Sequence, residues 1–164
     1  MTGNYAKLRK RSSRLYNVLF PMWMFYLLPT GLWLIILPAN FMIDSLVLWL
    51  AMQRIGIVER KDVWKHSIIR IWGIGFLSDL LGAFLTLGLF LLVDAAHLSW
   101  DVYLYPGTTL LAVPGVVLSG LLIYLLDKRY AFAKSSLDEA HIQKLSLALA
   151  IFTAPYAMLI PLYG

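Results

Sequence analysis

From Leu15 to Gln53 the chain carries one charged residue, Asp44. As a single helix that stretch would run about 58 Å, at ~1.5 Å per residue, against a hydrocarbon layer roughly 30 Å thick. One crossing cannot use that length, so two helices and a turn are expected. The same pattern recurs downstream. Ile71–Val93 holds only Asp79, and neither Val102–Leu126 nor Leu145–Gly164 holds any charge. Barrel strands would alternate in polarity between short turns. These runs do not, and the fold class they point to is an all-α, polytopic integral membrane protein.

Composition agrees: 60% of residues are hydrophobic and 14% charged, where a soluble domain carries about a quarter charged residues. Cysteine is absent, which excludes a disulfide framework and a thiolate metal site. The first apolar run is interrupted by Pro21 and Pro29 and is longer than a signal-peptide core, so it reads as retained.

Two turns can divide the first run, Pro29-Thr30-Gly31 and Pro38-Ala39-Asn40. The second is preferred, because Asn40 would cap a helix that begins just after Pro38. Pro29-Thr30-Gly31 would then kink the first helix. The expected bundle has five helices in a single domain, at about 16–37, 41–57, 67–93, 107–126 and 145–162, after a basic segment 1–15. The fourteen Lys and Arg fall in three groups: before the first helix, between the second and third, and between the fourth and fifth. Five crossings place all three groups on one side. The positive-inside rule then puts the N-terminus in the cytoplasm and the C-terminus outside, and a bacterial cytoplasmic membrane is the expected location.

The net charge of +5 is explained by anionic lipid, not nucleic acid. Lys7, Arg9, Lys10, Arg11 and Arg14, with Lys65 and Arg70, are positioned to reach lipid phosphates. Asp62–Trp72 is expected to run along the interface, and Trp100, Tyr103 and Tyr105 to anchor the loop between the third and fourth helices.

Asp44 and Asp79 sit in the similar strings FMIDSL and FLSDLL. The match is too short to establish an inverted repeat. A carboxylate in hydrocarbon needs a partner, water or a proton, which makes both residues functional candidates. The helical neighbours of Asp79 are Gly75, Phe76, Gly82, Ala83 and Thr86, with Trp72 a turn further back. Such small residues admit a close neighbour, so this face should point into the bundle. Asp44 has two readings. Beside a helix start at Asn40 it is stabilised by the helix dipole; with the turn at Gly31 it moves inward and can approach Asp79.

Pro29-Thr30-Gly31, Pro114-Gly115, Pro155 and Pro161 could open backbone carbonyls inside the membrane. Thr86, Ser119, Tyr124, Thr153 and Tyr156 are polar side chains that could join such a site. Gly115 and Ser119 alternatively form a small-residue packing face. Asp62 with His66, and Asp138 with His141, are spaced for one helical face and are weak metal candidates; separate solvated histidines are the simpler reading. No HExxH, Walker A, GxSxG or dinucleotide motif is present, and no cofactor is expected.

The leading expectation is a small transporter or channel for a proton, cation or small solute. Its ion-binding residues would be Asp79, Asp44, Thr86, Ser119 and Tyr124. The alternatives are a non-catalytic accessory, assembly or immunity-type membrane protein and, third, a lipid-modifying enzyme. A chain this small would act as a homo-oligomer or beside another membrane protein.

Overall fold

The computed structural model describes residues 31, 33–96 and 106–160. Four α-helices form the bundle: α1 (Trp33–Ile55), α2 (Arg60–Ala95), α3 (Gly107–Leu126) and α4 (Glu139–Thr153). A π-helical turn, Asp127–Ala131, extends α3, and a 3-10 turn, Tyr156–Leu159, follows α4. No strand occurs among the described residues. With those two turns included, four segments among the described residues are long and apolar enough to cross a membrane.

Each helix packs against the next in sequence, and α4 returns against α1, so the four close into a ring. Neighbours are antiparallel, as short connections dictate. Trp33 meets Phe76 edge-on at 5.3 Å between ring centroids, and Phe41 meets Trp72 at 6.4 Å. Two apolar cores fill the ring. Leu48, Met52, Ile68, Ile71, Ile123, Leu145 and Leu149 fill one end, and Ala83, Phe90, Ala112, Val116 and Met158 the other. Leu34, Met42, Leu92 and Phe152 point outward and are more than two-thirds exposed. On a membrane-spanning helix, such side chains are the lipid-facing surface.

The turn between α1 and α2 follows from local chemistry. Gly56 adopts φ +82°, a conformation that costs glycine little. It lets the Ile57 amide bond back to the Met52 carbonyl at 3.0 Å, closing α1 with a Schellman-type cap.

Three sequence expectations are corrected. Pro38-Ala39-Asn40 is not a turn, because α1 runs through it from Trp33. Pro38 sits in the second turn of α1, where its missing N–H removes one bond, to the Leu34 carbonyl. A turn there would leave several peptide groups unbonded in an apolar setting. The neighbouring helix also supports this stretch: the Trp72 indole N–H donates to the Leu37 carbonyl at 3.1 Å. The helices expected at 16–37 and 41–57 are thus misdivided. Gly31 lies in a turn, while Pro29, Thr30 and residues 1–28 fall outside the described residues.

The helix expected at 67–93 is a single 36-residue rod from Arg60 to Ala95, about 54 Å long at ~1.5 Å per residue. Asp62–Trp72 is its first third, not a separate segment. The helix expected at 145–162 begins earlier, at Glu139. Asp138 caps it by accepting the His141 amide at 3.3 Å. It also ends sooner, at Thr153. By contrast, α3 occupies the expected 107–126 and continues through Pro114. Trp100, Tyr103, Tyr105 and Pro161 lie outside the described residues.

Candidate functional site: two carboxylates at mid-bundle

Continuity through Pro38 changes the position of Asp44. It becomes the twelfth residue of the 23-residue α1, the midpoint of that helix. Asp79 lies close to the midpoint of α2. Both are buried, at 5% and 4% exposure.

The face of α2 built from Asp79, Gly82, Ala83 and Thr86 points inward and is fully or almost fully buried. Its glycine allows close approach. A Cβ placed on Gly82 would lie 2.5 Å from the Gly115 carbonyl oxygen of α3. That approach brings the Ser119 hydroxyl to Asp79, where it donates to Oδ1 at 2.6 Å. The bond is short, as expected for a hydroxyl on an ionised or strongly accepting carboxyl. Thr86 donates within its own helix, to the Gly82 carbonyl at 3.0 Å.

Asp44 reaches across to the same helix. Its Oδ2 lies 3.5 Å from where a Gly75 side chain would begin, one turn before Asp79. On its other side it meets the Thr153 hydroxyl of α4. Thr153 has one proton to give and donates it to the Leu149 carbonyl at 2.8 Å, so it serves Asp44 only by turning.

Both carboxylates line one cavity of about 210 Å³. Its walls come from α1 (Asn40, Ile43), α2 (Gly75) and the end of α4, from Phe152 to Ala157. The α4 wall exists because the helix stops at Thr153. Pro155 has no N–H for the Ile151 carbonyl, and the Tyr156 hydroxyl takes that carbonyl instead, at 2.7 Å. The cavity therefore joins two acids, a threonine hydroxyl and a broken helix. Its volume exceeds several times the ~30 Å³ that a water molecule occupies in the liquid.

The other candidates are placed elsewhere. Tyr124 is half-buried on α3 and does not line the cavity. Pro114 leaves α3 unbroken, and Gly115 serves helix packing. His66 contacts Asp62 one turn away, with Nδ1 3.5 Å from a carboxylate oxygen, and His141 pairs with Asp138. Among the described residues, no group of three or more His, Cys, Asp or Glu is placed to hold a metal ion. Lys65 is exposed on α2, and Arg70 donates to the Tyr130 carbonyl at 3.2 Å. Lys7, Arg9, Lys10, Arg11 and Arg14 lie outside the described residues.

One acid was missed by sequence reasoning. Asp127 follows α3 directly and reads as a loop residue beside Lys128 and Arg129. In the structure it opens the π-helical turn and is completely buried, at 0% exposure. The available signal was periodicity: Gly115, Ser119, Ile123 and Asp127 recur every four residues, on one helical face.

Compared with protein families, curated proteins and solved structures, the chain matches none.

Proposed function

We propose that this chain is a small membrane transporter or channel for a proton or cation, with Asp44 and Asp79 as its ion-binding pair. One observation carries the reading: two carboxylates from different helices, each at mid-helix, line a single cavity beside a helix break. Intramembrane acids are expensive and mark ion pathways. Broken helices at mid-membrane supply the remaining oxygen ligands in many transporters. In this reading the chain crosses five times. The end bearing Arg54, Arg60, Lys61, Lys128 and Lys144 faces the cytoplasm.

Two features weigh against the alternatives. The small-residue face that would serve an accessory protein is occupied internally, by Gly82 on Gly115. The carboxylate cavity lies at the level of the helix midpoints, away from the head groups that a lipid-modifying enzyme must reach.

Purified protein in liposomes, with ion flux followed by entrapped dyes, tests the proposal. Asp79→Asn and Asp44→Asn are each expected to abolish flux while the fold and detergent stability persist. Wild-type flux in both variants would sink it.

A further inference from the structure

Asp127 is a buried carboxylate to which the described residues donate no hydrogen bond. Both of its oxygens are buried and unpartnered. A buried carboxylate is satisfied by a donor, by water or by a proton. With no donor available, water or a proton remains.

Its surroundings show which groups share that level of the bundle. The Asp79–Ser119 bond fixes the register of α2 against α3. Asp127 is eight residues beyond Ser119, which sets it level with Ile71, one turn from Ser67. The approach of Gly120 to the Ala150 carbonyl, 3.6 Å from an added Cβ, fixes α3 against α4. It sets Asp127 within a turn of Ser146. Ser67 and Ser146 are both fully buried, and neither hydroxyl has a partner. Ile71, Ile123, Ala131 and Leu145, close to these groups along their helices, belong to one apolar core. Ser146 thus lies within a turn of Asp127 on the side of Ser119, and Ser67 a turn away on the other side, with Asp127 about 12 Å along α3 from Ser119 at ~1.5 Å per residue.

The charged groups nearby are otherwise engaged. From α2, Arg70 donates to the Tyr130 carbonyl. From the π-helical turn, Lys128 pairs with Glu139 at 3.4 Å and Arg129 lies over the Tyr130 ring. Arg54 of α1 and Lys144 of α4 line an outer groove between those helices. No ion pair to Asp127 occurs among the described residues.

We propose that Asp127, with the buried Ser146 and Ser67 hydroxyls about a turn to either side of it, is a second proton-holding station in series with the Asp44–Asp79 cavity, and that the ion moved is the proton. This rests on the transport reading above and narrows its substrate. A metal cation needs several oxygen ligands around it, and Asp127 has no exposed surface through which a hydrated ion could enter. A proton needs only one oxygen at each stop. The Asp127 carboxyl would give its proton to a serine hydroxyl or water, which gives up its own to the Asp44 carboxylate, so that one O–H bond forms for each one broken.

Two measurements on the reconstituted full chain test the proposal. In the first, a pH dye reports proton flux with sodium and potassium replaced by a bulky organic cation. Wild-type flux is expected to persist, and Asp127→Asn to slow it about a hundredfold, the scale on which a positioned proton-transfer group acts. Flux that requires sodium or potassium overturns the proton assignment. In the second, infrared difference spectra follow the C=O stretch of protonated carboxyls. Asp127→Glu is expected to move one component of that band and retain flux, and a band unmoved by Asp127→Glu overturns the station. Unchanged flux in Asp127→Asn also overturns the station, and leaves the cavity reading intact if Asp79→Asn is inactive. Wild-type flux in Asp79→Asn and Asp44→Asn removes the cavity reading itself.

Discussion

Gly82 on α2 and Gly115 on α3 face each other so closely that a Cβ on either would fall 2.5 Å from the other's carbonyl oxygen. That oxygen is backbone, which cannot rotate aside, and a Cβ on Gly115 would also run into the Thr86 hydroxyl. Gly82→Ala or Gly115→Ala must push the helices apart and stretch the Ser119–Asp79 bond. Each is expected to lower stability by about 1–3 kcal/mol, the usual cost of overpacking, measured by denaturant titration in micelles. Gly73→Ala and Gly88→Ala meet nothing within 4 Å and serve as controls. They should be neutral or slightly stabilising, since alanine is favoured over glycine in helices by about 1 kcal/mol. Equal losses at all four positions would refute the close contact.

Ser119 holds Asp79 by a single 2.6 Å bond, so the two residues should be energetically coupled. A double-mutant cycle with Ser119→Ala and Asp79→Asn is expected to give a coupling energy of about 0.6–1.7 kcal/mol, the range seen for hydrogen bonds between membrane helices. Additive losses would show that the bond contributes nothing in the folded protein.

Pro38 lies inside α1, so replacing it restores a bond instead of undoing a turn. Pro38→Ala returns an N–H to the Leu34 carbonyl and removes the ring's clash with that carbonyl. Stability should rise by up to about 3 kcal/mol, the full helix-interior difference between the residues. A loss of stability in the same micelle titration would argue for a turn at Pro38-Asn40.

The start of α4 should respond to acid. The side-chain hydrogen bond from His141 holds the Asp138 carboxyl below its ordinary value of 3.8. A carboxylate with a depressed value stabilises the folded form above the unfolded value and loses that contribution as pH falls through the folded one. Amide exchange at His141 and Ile142 should therefore stay slow from neutral pH down to about 4 and speed up below it. Asp138→Ala should exchange fast throughout, and slow exchange in that variant would remove Asp138 as the cap.

Much of this arrangement was legible in the residues themselves. Charge-free runs predict membrane helices, α3 falls at its expected limits, and the small-residue pattern around Asp79 places that face inward. The failures share a physical cause. Proline and asparagine signal turns in water, where opened peptide groups are solvated; between apolar neighbours the same signal at Pro38 is overridden. The limits of α4 were drawn from apolarity alone, so its polar first turns from Glu139 to Lys144 were left out. Asp127 went unnoticed because a charged residue followed by lysine and arginine resembles the end of a helix. Only the continuation of the face through the π-helical turn brings it inside. These are local rules that tertiary surroundings reverse, and sequence spacing does not record them.

The break at Pro155 also bears on how the chain is assembled in a membrane. The Leu159 carbonyl beyond the break accepts its bond from the Thr109 hydroxyl of α3, at 3.1 Å. The final turn thus borrows a donor that a lone α4 does not possess. Threaded into a bilayer by itself, it would present unbonded peptide groups to acyl chains. A membrane-spanning α4 would therefore leave the insertion machinery in company with α3. Synthesis makes α4 after α3, and the order of translation is also the order in which the bundle can be sealed.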